Sequence, residues 1–435
     1  MGSKVSLHTL GCKVNQYDTE ALRETLEEDG IKVVETVEQA DVLLVNTCTV
    51  TASTDRQNRQ LIRGLKRKNP SALMIVTGCQ AEVFPEALEQ MEEVDFVVKN
   101  HRKPYIPDLI LRALESRASQ VQLDRSCGPW WGRGITSITG HTRAFVKVQD
   151  GCDSCCTYCV VPRARGSSLS RPPESILQEV ERMEAVGVKE IVLTGVRLGL
   201  YGRDLSPPLA LVDLLRRILV GCGIPRVRLS SLEPLEISQE LIAFIKGSER
   251  ICPHLHVPLQ SGDDEILQLM NRPYTIHQYR ERILLAWKEI PDLTLGCDVI
   301  VGFPGETHAH FQRTRQFLTE IPYTYFHVFP FSPRPGTVAS NMPHQAGHQE
   351  IQLRGKLLRE LSQGRRRKMM KTYVGRVVSV LLERKWKGSD GWMQGLTTNY
   401  LKVRVPGEDG MKNRILAVRL DGIDNGFLVG RLLEK

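Results

Sequence analysis

The sequence predicts an α/β protein. It should have an N-terminal doubly wound parallel sheet, a central α/β barrel, open or closed, of six strand–helix units, and a small C-terminal antiparallel β-barrel. Three patterns carry this prediction. Short apolar runs alternate with helical patterns over residues 3–115, strand and helix repeat six times between residues 142 and 332, and five short β-rich runs close the chain. Alternation of strand and helix implies parallel sheets with helices on their faces. At 435 residues the chain has room for about three domains.

In the first region, strands are expected at Val5–Leu10, Asp41–Val45, Leu73–Val76 and Val94–Val98. Helices are expected near Tyr17–Asp29, Ala52–Lys66 and Pro85–Met91. Cys12, Cys48 and Cys79 each come just after one of the first three strands. Open α/β sheets bind ligands at that edge. Three cysteines far apart in sequence would thus converge, with Gly11 and Gly78 easing close backbone approach. A metal site with three protein ligands follows, either zinc or a cluster. The plainer alternative is three unrelated core cysteines.

Residues 116–141 read as a linker rich in Ser, Gly and Arg, including Gly128-Pro129-Trp130-Trp131-Gly132. The paired tryptophans are expected to pack a domain junction, and Cys127 has no partner spacing. Strands then fall at Ala144–Val148, Glu190–Leu193, Arg226–Leu229, His254–Val257, Leu295–Val301 and Tyr325–Phe329. Barrel chemistry gathers at the carboxyl ends of such strands. Gly195, Glu233, Gln260 and Ser261 lie there and are candidate cofactor contacts. Cys222, Cys252 and Cys297 read as structural.

The loop after the first of these strands holds Cys152, Cys156 and Cys159 at C-x3-C-x2-C. Three thiolates can bind three irons of a cubane and leave the fourth open. With Cys155 counted, the loop also reads C-x2-C-C-x2-C, which would suit tetrahedral zinc. Adjacent Cys155 and Cys156 would point apart in extended chain, which weighs against zinc.

The third region follows a basic helix near Ile351–Lys371. From Arg354 to the end, 19 Lys/Arg face 8 Asp/Glu, so the basic surplus of the +8 chain lies there. A small β-barrel with that charge suits an oligonucleotide. A barrel that only caps the fold, beside a solvated basic helix, is the alternative. No run of about 18 apolar residues occurs, so no membrane span is expected. The start of the chain goes straight into a strand pattern, which suggests a cytoplasmic protein. In that compartment cysteines serve metals or catalysis more than disulfides.

Together these tracts resemble the radical S-adenosylmethionine methylthiotransferases along essentially the whole chain. The resemblance rests on Val148-Gln149-Asp150-Gly151-Cys152 through Cys159, Val160-Val161-Pro162, Arg165 and Gly166. It also rests on Gly11-Cys12-Lys13-Val14-Asn15, Asn46-Thr47-Cys48-Thr49-Val50 and Thr77-Gly78-Cys79. The C-terminal part resembles the TRAM RNA-binding domain. Gly11-Cys12-Lys13-Val14-Asn15-Gln16-Tyr17-Asp18-Thr19-Glu20 and Leu193-Thr194-Gly195-Val196-Arg197-Leu198-Gly199-Leu200-Tyr201-Gly202 resemble the branch acting on N6-threonylcarbamoyladenosine in tRNA. Two positions depart from the usual pattern: Cys155, and Arg163 where tyrosine is common.

The resemblance implies a methylthiotransferase N-terminal domain at 3–115, a radical core built as a (β/α)6-type partial barrel at 142–371 and TRAM at 372–435. It implies two [4Fe–4S] clusters, an auxiliary one on Cys12, Cys48 and Cys79 and a radical one on Cys152, Cys156 and Cys159. It also implies S-adenosyl-L-methionine, a tRNA anticodon stem-loop, and an external electron donor such as a flavodoxin or ferredoxin. The implied reaction places a methylthio group on C2 of the adenosine at position 37. That C–H is not acidic, so a radical is warranted. The alternatives are the same chemistry on isopentenyladenosine or on a ribosomal protein, and a noncatalytic zinc-stabilised RNA-binding protein.

Overall fold

Five parallel strands build the first sheet in the order β2-β1-β3-β4-β5. They belong to a computed structural model that describes residues 3–116, 131–132, 134–136, 142–388 and 391–433. The strands are β1 (Lys4–Thr9), β2 (Lys32–Val33), β3 (Val42–Thr47), β4 (Leu73–Gly78) and β5 (Phe96–Val98). The helices are α1 (Lys13–Glu28), α2 (Ala52–Lys68), α3 (Cys79–Val83), α4 (Glu86–Glu89) and α5 (Ile106–Ser116).

Alternation along the strands decides which helix covers which face. Val5, Leu44 and Ile75 pack with Leu22 and Leu26 of α1 and with Ile106 and Ile110 of α5. Leu43, Val45, Met74 and Val76 face the other way, onto Ile62 and Leu65 of α2. Both faces are therefore covered, as a doubly wound sheet requires. Three elements depart from the expected set, one of them α5, which is not among the expected helices. β2 is only two residues long and shows no readable alternation, and α3 begins at Cys79 itself. The linker expected at 116–141, with Trp130 and Cys127, falls largely outside the described residues.

The chain continues through β6 (Arg143–Lys147), β7 (Gln149–Asp150), α6 (Val161–Arg165), β8 (Leu169–Ser170) and α7 (Pro173–Ala185). β7 and β8 pair antiparallel and close the cysteine loop at its base. Then come β9 (Glu190–Thr194), α8 (Leu211–Gly221), β10 (Arg226–Leu229), α9 (Gln239–Lys246) and β11 (His254–His256). α10 (Asp264–Leu269), α11 (Ile276–Glu289), β12 (Thr294–Val301), α12 (His308–Glu320) and β13 (Tyr325–Pro330) complete the repeat. The strands stand in chain order, β6-β9-β10 and β11-β12-β13. Parallel bridges at Val227–Ile251 and Ser231–His256 continue one set into the other. The result is the six-stranded partial barrel.

A long helix, α13 (His348–Lys371), leads to β14 (Val377–Lys385), β15 (Trp392–Thr397), β16 (Lys402–Pro406), β17 (Ile415–Asp424) and β18 (Phe427–Leu432). These five close into a barrel in the order β14-β15-β16-β18-β17. Its pairs are antiparallel except β16–β18, which is parallel. Val380, Leu382, Met393, Val403, Val418 and Leu428 fill it. Glu190, fully buried at the start of β9, binds Arg228 at 2.7 Å. Arg226 donates to the Ser379 carbonyl at 2.9 Å and Arg228 to that of Thr397 at 3.3 Å. The small barrel thus sits against the amino ends of the arc's strands.

The described residues form two compact units. The first takes residues 3–136, Lys147–Glu179 and Ser332–Ser340. The second takes residues 142–146, Val180–Phe331 and 341–433.

Candidate metal centres

Both cysteine triads lie in the first unit. The strand order 2-1-3-4-5 reverses direction between β1 and β3, where such sheets bind ligands. Cys12 caps the start of α1 after β1, Cys48 follows β3, and Cys79 opens α3 after β4. Gly11 has φ 110° and Gly78 φ 100°, backbone that side-chain-bearing residues avoid. A Cβ on Gly11 would stand 2.5 Å from Cys48 Cβ and 2.9 Å from its Sγ. Asn15 Nδ2 donates to the carbonyls of Leu10 and Thr47, both at 2.9 Å, and so ties the ends of β1 and β3 together. Asn58 donates to the Cys48 carbonyl at 2.6 Å.

Burial pushes the Cys48 thiol up to about 12, and the neighbouring Cys79 and Cys12 add to the rise. Burial also raises Cys79, opposed by the cation Arg165. The three thiols are thus close enough to influence one another. Each must lose a proton to bind metal.

The second triad is held by its own loop. The Cys152 amide donates to the Gly166 carbonyl at 2.9 Å, and that of Cys159 to Cys156 at 3.1 Å. Backbone amides face two of the sulfurs: Ser154 N lies 3.4 Å from Cys152 Sγ, and Val161 N 3.4 Å from Cys159 Sγ. Such bonds stabilise thiolates and tune cluster potentials. Cys152, Cys156 and Cys159 are partly exposed, whereas Cys155 is exposed with its thiol directed at the Asp153 carbonyl, 3.9 Å away.

The sulfur spacing bears on zinc. A single tetrahedral zinc, with Zn–S about 2.3 Å, holds its sulfurs about 3.8 Å apart. Among the described residues, groups of three ligand atoms within 4.8 Å of one another occur at His256, Asp298 and His327 and at Asp263, Glu265 and His310. Neither group includes a cysteine. In neither triad, then, do all three thiols lie within 4.8 Å of one another.

A buried charge network joins the two cysteine-bearing segments. Arg165, six residues after Cys159, donates to Asp150 at 2.9 and 3.1 Å and to Asp18 at 3.1 Å. It also donates to Asn15 Oδ1, which lies 3.8 Å from Cys79 Sγ. Asp18 receives Lys103 at 2.8 Å and Lys147 at 2.6 Å. Burial would raise the Asp18 carboxyl, but Lys103, Lys147 and Arg165 outweigh it and hold the group far below the ordinary range. Nearby, Tyr17 and Arg171 bind the buried Glu179. A cavity of about 390 Å³ opens onto this network, lined in part by Lys103, Arg163 and Arg165. Sequence spacing gave no sign of these charges, because Asp18 and Arg165 are 147 residues apart.

In the second unit, the four candidate contacts at the strand ends have different surroundings. Gly195 directly follows β9. Glu233 forms an ion pair with Arg272. Gln260 takes φ 63° and bridges to Val299 of β12. Ser261 is fully buried with its hydroxyl 3.3 Å from that of Thr314, which makes it part of the packing under α12.

Family models match two parts of the chain. Residues 4–99 match the uncharacterized protein family UPF0004 and residues 146–318 the radical SAM superfamily. The threonylcarbamoyladenosine tRNA methylthiotransferase of Aquifex aeolicus is 38% identical over 95% of this chain and 100% of that protein. The chain belongs to the radical S-adenosylmethionine methylthiotransferase family. The Bacillus subtilis protein of the same description is 36% identical over 96% of this chain and 93% of its own length. The tRNA-2-methylthio-N(6)-dimethylallyladenosine synthase of Acetivibrio thermocellus is 31% identical over 98% and 90%.

Among solved structures, a radical S-adenosylmethionine methyltransferase from Kitasatospora setae, with cobalamin and a [4Fe-4S] cluster bound, matches with TM-score 0.57. At 16% identity, over 78% of this chain and 74% of that one, it speaks to fold alone. Methylthiotransferases of this family use S-adenosylmethionine and [4Fe–4S] clusters, and the two triads have the donor set such clusters require.

Proposed function

We propose that this methylthiotransferase converts N6-threonylcarbamoyladenosine at position 37 of tRNA to its 2-methylthio derivative. One observation carries the reading: two cysteine triads lie in one compact unit, each with three thiols, joined by the Asp18–Arg165 network. One triad alone would account only for cofactor cleavage. The second would hold the sulfur group to be transferred. The choice among the family's substrates follows the Aquifex and Bacillus relatives, whose descriptions name threonylcarbamoyladenosine tRNA.

We assign Cys152, Cys156 and Cys159 to the cluster that meets S-adenosylmethionine, and Cys12, Cys48 and Cys79 to the auxiliary cluster. Bound together, the clusters and cofactor supply one-electron cleavage of a sulfonium and a sulfur group for transfer. The protein's own residues do the rest. Asn15 and Asn58 fix the strand ends that carry Cys12 and Cys48. Arg165 sets a buried cation beside Cys79. Gly195 and Gln260 remain candidates for the cofactor's polar groups, and Glu233 is one through its pair with Arg272. The small C-terminal barrel would grip the tRNA, a flavodoxin or ferredoxin would supply the electron, and the cytoplasm is the compartment that offers both.

Anaerobic reconstitution with a stem-loop RNA carrying N6-threonylcarbamoyladenosine tests this. The reading predicts a 2-methylthio nucleoside and 5′-deoxyadenosine. Product only on isopentenyladenosine RNA would overturn the substrate choice. Two bound zinc ions with no cubane iron would overturn the chemistry.

A further inference from the structure

The inner face of β13 is unlike a barrel core. Phe326 points outward and is buried, and the Ser362 hydroxyl of α13 meets its amide at 2.9 Å and its carbonyl at 2.8 Å. Tyr325, His327 and Phe329 alternate with it and so share the opposite face. These rings form a row. Tyr325 and His327 have centroids 5.3 Å apart, and His327 and Phe329 6.4 Å apart. The upper part of the row is open to solvent, with Phe329 40% exposed and the His327 side chain 58%, while Tyr325 is half-buried among His254, His256 and Tyr400.

The row is also fixed in place. His327 Nδ1 lies 3.2 Å from Asp298 Oδ1, and His256 Nε2 reaches the same oxygen at 3.0 Å. Burial would raise the Asp298 carboxyl, yet its hydrogen bonds to His256 and His327 hold it well below the ordinary range, so the acceptor stays ionised. Tyr325 reaches His254 at 2.9 Å.

At its lower end the row meets the small barrel. Tyr400 stacks on His254 at 4.5 Å and lies 6.4 Å from Tyr325. Tyr400 also lines a cleft of about 190 Å³ with Phe427, the cations Arg143, Arg384 and Lys402, and Glu383, whose carboxylate pairs with Arg143 at 2.6 Å. Burial lowers the Lys402 ammonium, and Arg366 and Arg384 beside it add to the drop. Cations crowded in this way are relieved by a polyanion. At its upper end the row reaches the carboxyl ends of the strands, where barrel chemistry occurs.

We propose that β13 is an RNA track. Unpaired bases of the substrate strand stack on His327 and Phe329, while the Arg143–Arg384–Lys402 cleft holds the phosphates that follow. Cationic grooves with aromatic rings at intervals are how single strands are bound without reading sequence. Spacing along the strand, not base identity, then delivers one base to the mouth. This inference rests on the proposed RNA substrate and adds where that RNA lies.

The test uses the full reconstituted enzyme and an anticodon stem-loop RNA with 2-aminopurine at unpaired positions. Ring-deleting variants H327L and F329L should each weaken binding roughly 5- to 160-fold, the range expected for one lost base stack. They should also abolish quenching at one loop position. Ring-keeping variants H327F and F329Y should restore both, which separates stacking from misfolding. K402A should weaken binding at low salt and flatten its salt dependence. If wild-type enzyme binds and modifies the RNA while H327L and F329L bind as tightly with full quenching, the track is wrong and the proposed function stands. If wild-type enzyme neither binds nor modifies the RNA, the proposed function fails and the track with it.

Discussion

Arg165 Nη2 stands 3.1 Å from Asp18 Oδ2, and both side chains are almost wholly buried. Asp18 lies six residues after Cys12, and Arg165 six residues after Cys159. One ion pair therefore joins the helix that begins at one cysteine triad to the short helix that follows the other. With Lys103, Lys147 and Asp150 the group holds three cations against two carboxylates. The surplus cation lies beside Cys79, where a cluster bound by thiolates would add negative charge.

Removing one carboxylate should expose that balance. Asp18→Asn leaves Lys103, Lys147 and Arg165 buried with Asp150 as the remaining carboxylate of the network. Breaking a buried pair on one side typically costs about 3–5 kcal/mol. Anaerobic denaturant unfolding of the apoprotein should show a loss of that order. A loss within about 0.5 kcal/mol, the range of surface changes, would mean the network is solvated.

Gly11 is predicted to be intolerant for a local reason. Gly11→Ala adds a Cβ against Cys48 and leaves it at φ 110°. The auxiliary site should lose its iron while the Cys152 loop keeps its own, so total iron should fall by roughly half. Mössbauer and iron analysis would show this, and full iron content in Gly11→Ala would contradict it.

The two triads should separate by function. Cys156→Ala should abolish cleavage of S-adenosylmethionine. Cys48→Ala should retain some 5′-deoxyadenosine formation while ending sulfur insertion. Retained methylthiolation in Cys48→Ala would remove Cys48 from the auxiliary role.

Much of this organisation was legible beforehand, and the rest was hidden for physical reasons. Cys12, Cys48 and Cys79 could be grouped because each follows an apolar strand, and strand ends converge in a parallel sheet. β2 escaped because two residues show no period. The placement of Ser261 could not be foreseen, since only the packing of α12 reveals that Thr314 covers it. The Asp18–Arg165 pair and the β13 row depend on contacts distant in sequence or on which face of a strand is covered. His327 and Phe329 alternate as any half-buried strand does, and only the arc's open inner face makes them accessible.

Asp298 gives a pH signature. Its folded carboxyl lies below the unfolded value of about 3.9. Its contribution to stability is therefore present above that value and is lost as pH falls through it toward the folded pKa. The stability gap between wild type and Asp298→Asn should be full above about pH 5 and shrink steadily as pH falls below about 4. A gap independent of pH would show that the His256 and His327 contacts add nothing to ionisation.

Two cysteine triads in one unit are proposed to serve sulfur insertion into a tRNA adenosine. The most direct measurement is nucleoside mass spectrometry of tRNA from a host lacking this modification, with and without this gene. 2-Methylthio-N6-threonylcarbamoyladenosine should appear at the expense of N6-threonylcarbamoyladenosine, and should fail to appear with Cys48→Ala or Cys156→Ala. An unchanged nucleoside profile with iron-replete wild-type protein would contradict it.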